Sequence, residues 1–339
     1  MQIQYNNFFI YEIDSKYNYD LFPLTINDDE IIKLISEKYN NCRFKRSQYS
    51  LEVILHNLFK EHPSRTENYD ESNIVFIPFY IFLSAWKTKY FYSVEDVING
   101  LNEIMPLIEK IKRDGKKIIL VYSDVMWDDE RCFINHFDFG DDVYFVCYEN
   151  VPNRNKQIPV PYCTHIVCNS SQYSIPRNLE KKYLISYAGR ERPELNYFQN
   201  LKILSTHKPS DNRWISNNNE ELYNQIDNLY LNSYFTLQPH GDKQSRKGFY
   251  HSLLLGAIPV VFENNYPVYE SVFHGLINVR DVCVVLNKSE ISNYEKILRD
   301  EVGNIETKIK NIEKIKNLLL YDNDSKIVNY ILNRIDNHG

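Results

Sequence analysis

Two cationic side chains, Arg246 and Lys247, stand where an apolar run gives way to a glycine-bearing turn and then to a helical pattern. The run is Phe235-Thr236-Leu237-Gln238-Pro239-His240-Gly241-Asp242, the turn continues through Lys243-Gln244-Ser245, and Gly256-Ala257-Ile258-Pro259-Val260-Val261-Phe262 closes the segment. This spacing predicts a strand, a polar turn, a short helix and a second buried strand. Such a helix start is chemically an anion site. The N–H groups of a first helical turn lack intrahelical partners, the helix dipole is positive there, and a guanidinium offers paired donors to phosphate oxygens. Gly241 suits the turn, and Asp242 or Ser245 suits the cap. One crossover later, in Pro267-Val268-Tyr269-Glu270, the Glu270 carboxylate is a group that accepts hydrogen bonds from a ribose diol.

The elements that must position these residues follow from hydrophobic pattern. Short, continuous apolar runs occur at Phe8–Tyr11, Ile74–Phe79, Ile118–Tyr122, Val143–Cys147 and His165–Cys168, and again at Leu184–Ala188, Tyr234–Leu237, Ile258–Phe262 and Val282–Leu286. Continuous rather than alternating apolarity predicts strands covered on both faces, as in a parallel sheet. Helical spacing separates them at Leu51, Ile54, Leu55 and Leu58, at Val94, Val97, Ile98 and Leu101, and at Ile104, Leu107, Ile108 and Ile111; a helical tail carries Ile305, Ile309, Ile312, Ile315 and Leu319. Strands alternating with helices over 339 residues predict two doubly wound α/β domains. The polar stretch from Asn169 to Pro176 divides them, giving residues 1–170 and 171–339.

Composition removes several function classes. A net charge of −6 argues against broad nucleic-acid or anionic-membrane binding, so any basic site is local. The six Cys form no C-x-x-C pair and several sit in apolar runs, which predicts buried free thiols in a reducing compartment. No apolar run reaches transmembrane length, and neither a secretory leader nor a Walker or Gly-x-Ser-x-Gly motif occurs. The nine His are scattered without His-Glu-x-x-His spacing, so no zinc constellation is expected.

The run from Asn232-Ser233-Tyr234-Phe235 through Gly241-Asp242, Ser245-Arg246, Gly256 and Ile258-Pro259-Val260 resembles the signature of the exostosin-like glycosyltransferases, glycosyltransferase family 47. Ile10-Tyr11-Glu12-Ile13, Asn73 through Tyr80, Ile158-Pro159-Val160-Pro161 and Tyr187-Ala188-Gly189-Arg190 are similar, in order, to the family's other segments, so that the resemblance spans residues 8 to 290. It implies a GT-B architecture of two Rossmann-like domains facing a cleft, with acceptor binding in the first and nucleotide-sugar binding in the second. It further implies inverting transfer from a nucleoside-diphosphate sugar, a UDP-sugar foremost, to a glycan hydroxyl, with no obligatory metal or other cofactor. The diphosphate end falls to Gly241, Asp242, Ser245 and Arg246, with Gly189 and Arg190 as a second turn and guanidinium, and the ribose end to Glu270. His240 stands where the family often has Arg and supplies a cation only when protonated. Ser123 and Gln157 are further departures, on the acceptor side.

An inverting transfer needs a base for the acceptor proton. Asp124, after the run ending at Tyr122, is the first choice because ligands gather outside the carboxyl ends of parallel strands; Glu149, after Cys147, is the alternative by the same rule. Two other readings stand beside this one. A non-catalytic glycan- or nucleotide-binding module would keep the fold without the chemistry. A metal-dependent GT-A enzyme would use Asp322 and Asp324 after Leu318-Leu319-Leu320-Tyr321, although helical spacing on both sides of that segment favours a polar break between helices. Family members are often anchored in the Golgi by an N-terminal membrane helix. Because this sequence starts almost directly at its first strand, a cytoplasmic enzyme of a bacterium or an infected host cell is expected instead. Replacing Asp124 by Asn is expected to lower transferase turnover by about 10²–10⁴-fold; undiminished turnover would pass the role to Glu149.

Overall fold

A computed structural model describes residues 7–19, 50–85, 94–123, 137–149, 156–166, 170–177, 180–206, 220–241, 243–322 and 326–337. The chain divides into two compact units, Met1–Cys163 with Tyr321–Gly339, and Thr164–Leu320. Sequence pattern puts the division at 170/171 and the tail in the second half, whereas the folded chain parts at Cys163 and returns its last helix, Ile327–Asn337, to the first unit. That return rests on contacts between distant residues. Tyr330 Oη donates to the Pro159 carbonyl at 3.1 Å, Lys117 Nζ donates to the Ile335 carbonyl at 3.0 Å, and Ile327, Ile331 and Ile335 are buried.

The first unit holds a parallel sheet of β1 (Phe8–Ile10), β2 (Ile74–Phe76), β3 (Lys117–Tyr122), β4 (Val143–Cys147) and β5 (Gln157–Pro159), paired in that order. Val75 lies opposite Ile118, and Ile119 opposite Tyr144. Every residue of β4 is buried, as continuous apolarity requires of a strand covered on both faces. Helices α1 (Leu51–Glu61), α2 (Ile81–Ala85) and α3 (Val94–Arg113) belong to this unit. Both expected helical faces between Val94 and Ile111 lie on α3, which continues through Pro106. Phe59 of α1 stacks on Phe76 of β2 with ring centroids 4.7 Å apart.

The second unit holds β6 (Tyr183–Gly189), β7 (Lys202–Ser205), β8 (Ser233–Leu237), β9 (Ile258–Phe262) and β10 (Val284–Leu286), in the spatial order β10-β9-β8-β6-β7 with every pair parallel. β7 is laid on one side of β6 and every later strand on the other. The winding therefore reverses between β6 and β8, and doubly wound sheets open a crevice at such a reversal, outside the carboxyl ends of the strands. Helices α4 (Glu220–Leu231), α5 (Lys247–Leu254), α6 (Tyr266–Phe273), α7 (Tyr294–Glu301) and α8 (Ile305–Leu319) complete the unit, and α9 is the Ile327–Asn337 helix of the first. Two parallel-sheet α/β units are the GT-B composition that the resemblance implied.

One expected strand needs correction, one strand had no counterpart in the expectations, and the polar break favoured over the GT-A strand holds. His165 and Ile166 are not in a strand; the fifth strand of the first sheet is Gln157–Pro159, three residues at a sheet edge where proline is tolerated. β7 has no apolar run to announce it, because an exposed edge strand needs none. The GT-A reading required a strand before Asp322, and Leu318 and Leu319 instead end helix α8, while Asp324 lies outside the described residues. Of the six Cys, Cys147, Cys163 and Cys283 are buried free thiols, and Cys42, Cys132 and Cys168 lie outside the described residues.

The buried His56 of α1 has its Nδ1 2.8 Å from Tyr80 Oη, and burial lowers its pKa to about 3. The imidazole is thus neutral in the fold and protonates near 6.5 when the chain unfolds, so its contribution to stability is whole above pH 6.5 and falls away between 6.5 and 3. Unfolding free energy is expected to drop by about 1.4 kcal/mol per pH unit from this group over that window. A His56→Gln variant, followed by urea unfolding at stepped pH, should lose that part of the slope.

Candidate active site

Arg246 is the residue just before α5, in extended backbone at φ −144° and ψ 140°, without a side-chain cap of its own. Its side chain turns back across the winding reversal. Nη2 donates to the Ala188 carbonyl near the end of β6 at 3.0 Å, and the guanidinium lies over the Tyr187 ring at 4.8 Å. Nη1 is buried and has no hydrogen-bond partner in the protein. Among the described residues no carboxylate pairs with Arg246, so its charge is held by a carbonyl and an aromatic face. Gly189 makes this approach possible: a Cβ there would meet Arg246 Nη2 and Tyr187 Oη, each at 2.5 Å. Tyr187 Oη in turn donates to the Arg190 carbonyl.

The loop after β8 is built by buried amides. Gln238 is buried, donates through Nε2 to Tyr230 Oη at 3.3 Å, and leaves Oε1 without a partner. Asn265, at the exit of β9, donates to the Gln238 and Gln244 carbonyls, each at 3.3 Å, and accepts from the Phe262 N–H at 2.9 Å. One short side chain therefore ties the carboxyl ends of β8 and β9, a role that its position in an Asn-Asn-Tyr-Pro turn does not advertise. A Cβ at Gly241 would come within 2.9 Å of the Ser245 carbonyl oxygen, and Ser245 is buried. His240 is half exposed, with Nδ1 2.9 Å from the Gly241 carbonyl and Nε2 3.1 Å from Glu194 Oε1. Both nitrogens face acceptors, an arrangement complete only in the imidazolium form.

Gly189, Arg190, His240, Gly241, Ser245 and Arg246 are thus brought to one carboxyl edge of the second sheet, whereas Asp242 lies outside the described residues. Among the hydrogen bonds and ion pairs of the described residues, Glu270 is joined to Tyr266 and not to Arg246. It sits exposed on α6 and hydrogen-bonds Tyr266, whose hydroxyl is pushed up to about 12 by burial and then by that carboxylate. Lys247 lies over the Tyr223 ring at 5.5 Å.

In the first unit, Asp124 lies outside the described residues, immediately after Ser123. Glu149 follows β4 and is buried; its Oε1 accepts from Tyr162 Oη at 3.4 Å. Pattern reading passes over a third carboxylate at this edge. Glu52 of α1 is 1% exposed and accepts from the N–H groups of Phe82 at 2.8 Å, Leu83 at 3.2 Å and Ser123 at 3.4 Å. It caps the start of α2 from outside and pins the end of β3, where Asp124 follows. Its signal was a Glu amid six consecutive buried residues of a helix, visible only once burial is known.

The second unit also gathers His165, Asp227 of α4 and His251 of α5. Both Nε2 atoms meet Asp227 Oδ1, at 2.6 and 2.7 Å. Burial lowers the pKa of His165 to about 3 and lowers that of His251, so both are neutral donors. Burial opposes the charge on Asp227, but the two imidazole hydrogen bonds outweigh it and hold its carboxyl well below the usual range.

A family model described as the exostosin GT47 domain matches residues 6–300. The xyloglucan-specific galacturonosyltransferase 1 of Arabidopsis thaliana is 24% identical over 84% of this chain and 47% of its own length. The xyloglucan galactosyltransferase MUR3 of the same plant is 24% identical over 82% of this chain and 49% of its own. The chain spans about half the length of the curated relatives it matches. Among solved structures, an alpha-glucosyltransferase in complex with UDP-glucose and DNA containing an abasic site aligns with 79% of this chain and 81% of its own at 10% identity, with a TM-score of 0.41. These matches correct the expected cytoplasmic location: the relatives are plant xyloglucan transferases and give a bacterial or host-cell cytoplasm no support. Among the described residues no helix is long and apolar enough to cross a membrane.

Glu52→Gln is expected to cost about 1–3 kcal/mol of stability, because an amide NH₂ would face a backbone N–H that now meets a carboxylate oxygen. Chemical denaturation of the variant against the parent protein checks this.

Proposed function

We propose, from the premise that the chain belongs to the exostosin GT47 domain family, that it is a glycosyltransferase moving a sugar from a nucleoside diphosphate to a hydroxyl group of a glycan acceptor, with inversion at the anomeric carbon. The observation that carries this reading is Arg246, seated at the winding reversal of the second sheet and at the start of α5, with no carboxylate pairing it among the described residues. A guanidinium and first-turn amides together suit a diphosphate.

In the reaction the bond between the anomeric carbon and the diphosphate oxygen breaks, the acceptor oxygen bonds from the opposite face, and the acceptor proton passes to a base. Arg246 and the α5 amides take up the charge that grows on the leaving diphosphate. Gly189, Arg190, Gly241 and Ser245 line the same end, His240 adds a cation in its imidazolium form, and the resemblance assigns Asp242 to the diphosphate and Glu270 to the ribose. These groups supply what a divalent ion supplies in GT-A enzymes, so no obligatory metal enters the donor chemistry. Asp124 is the first candidate for the base and Glu149 the second, the latter supported by its place after β4 and its hydrogen bond from Tyr162. UDP is the expected nucleotide. The names of the plant relatives favour a galactose or galacturonate donor and a xyloglucan-like acceptor.

Arg246→Ala is expected to lower kcat/KM for the donor by about 10²–10³-fold while circular dichroism stays unchanged. Calorimetry with UDP- and GDP-sugars, followed by a transfer assay, tests the whole reading. Binding without turnover on any acceptor would favour a binding module on the same fold, and no binding of any sugar nucleotide would overturn both.

A further inference from the structure

We infer that His165, Asp227 and His251 form a site for one borderline divalent transition-metal ion, zinc foremost, built into the second unit apart from the Arg246 turn. The three residues come from the segment entering that unit, from α4 and from α5, and one ligand atom from each lies within 4.8 Å of the other two. Neutral imidazole nitrogens and one carboxylate oxygen are the donor set of zinc and its neighbours in the first transition row, whereas magnesium and calcium want oxygen alone.

Two observations make this more than a hydrogen-bonded cluster. The first is charge. The partners of Asp227 among the described residues are the two imidazoles, and only 28% of its side chain is exposed. Lys247 stands one turn before His251, and no ion pair joins it to Asp227. Buried charges are paired or coordinate metals. The second is geometry. Two rings from residues far apart in sequence aim the same atom, Nε2, at one oxygen, with ring centroids 4.0 Å apart. Tetrahedral zinc, with bonds of about 2.0–2.1 Å, sets its ligand atoms about 3.3 Å apart. The present separations of 2.6 and 2.7 Å reach that value by an opening of about 0.6–0.7 Å, within side-chain adjustment.

On binding, each ring carries its proton on Nδ1 and turns the Nε2 lone pair to the metal. The rings are 6% and 3% exposed and the Asp227 side chain 28%, so an ion held there would meet solvent, and a water as fourth ligand, on the Asp227 side. The ion would staple the entering segment to α4 and to α5, the helix that begins next to Arg246.

The test uses the full chain, stripped with a chelator and titrated with Co²⁺ and then Zn²⁺. One equivalent of Co²⁺ should bind and give the visible d–d absorption of four- or five-coordinate cobalt. Zn²⁺ should displace it and raise the Tm, and Mg²⁺ should do neither. Asp227→Asn and His251→Gln should abolish both signals, His165→Gln should weaken binding at least tenfold, and His274→Gln, at an exposed position elsewhere on the unit, should leave it intact. The inference is overturned if the parent chain takes up no stoichiometric Co²⁺, shows only the weak spectrum of octahedral cobalt, or binds equally well as His165→Gln. Should the α4 or α5 variants misfold, the parent titration and the loop variant decide, and neither depends on transferase turnover.

Discussion

The hydrogen bond from Arg246 Nη2 to the Ala188 carbonyl joins residues 58 positions apart across the one place where the second sheet reverses its winding. Strand order creates the opening, and this contact decides what stands in it. A guanidinium held by a carbonyl oxygen and a ring face keeps its full charge, since neither partner is an anion. The start of α5 is adjacent in sequence, so its first-turn amides and dipole add to the same positive potential. Gly189 is the steric condition for all of it, because any Cβ at that position would occupy the space of the guanidinium.

The carboxyl edges of the two sheets meet their polar demands in different ways. On the second, amide side chains do the tying: Asn265 links the ends of β8 and β9, and Gln238 is buried under Gly248, where a Cβ would come within 2.6 Å of Gln238 Oε1. On the first, an ionised side chain, Glu52, collects three backbone N–H groups from α2 and the end of β3. On the second edge the scaffold of buried amides is neutral, and Arg246 is held there without a carboxylate partner among the described residues. On the first edge the buried carboxylates of Glu52 and Glu149 stand after α1 begins and after β4 ends.

Parallel strands were legible because burial on both faces makes them continuously apolar; β3, β4, β8 and β9 fall where Ile118–Tyr122, Val143–Cys147, Tyr234–Leu237 and Ile258–Phe262 predicted them. The same criterion misled at the edges. β5 and β7 pair on one side only and need no such run, and His165, at the start of an apolar run, is held by Asp227 rather than by a ladder. Of the candidate site, Gly241, Ser245 and Arg246 were readable as one local motif. Glu52, Asn265 and the pairing of His165 with His251 were not, since each is defined by a partner between 21 and 71 residues away or by a shared one.

Sequence by itself determined the parallel α/β class, the turn before α5 and the family, because each is carried by residues that are neighbours along the chain. Tertiary structure decided the rest. It set the strand order that puts Gly189 beside Arg246, the return of Ile327–Asn337 to the first unit, and the convergence of two imidazoles on one carboxylate. The physical reason is common to all three: each is a contact between residues distant in the chain, formed by burial and hydrogen bonding, and local periodicity records a residue's own burial but not the identity of what covers it.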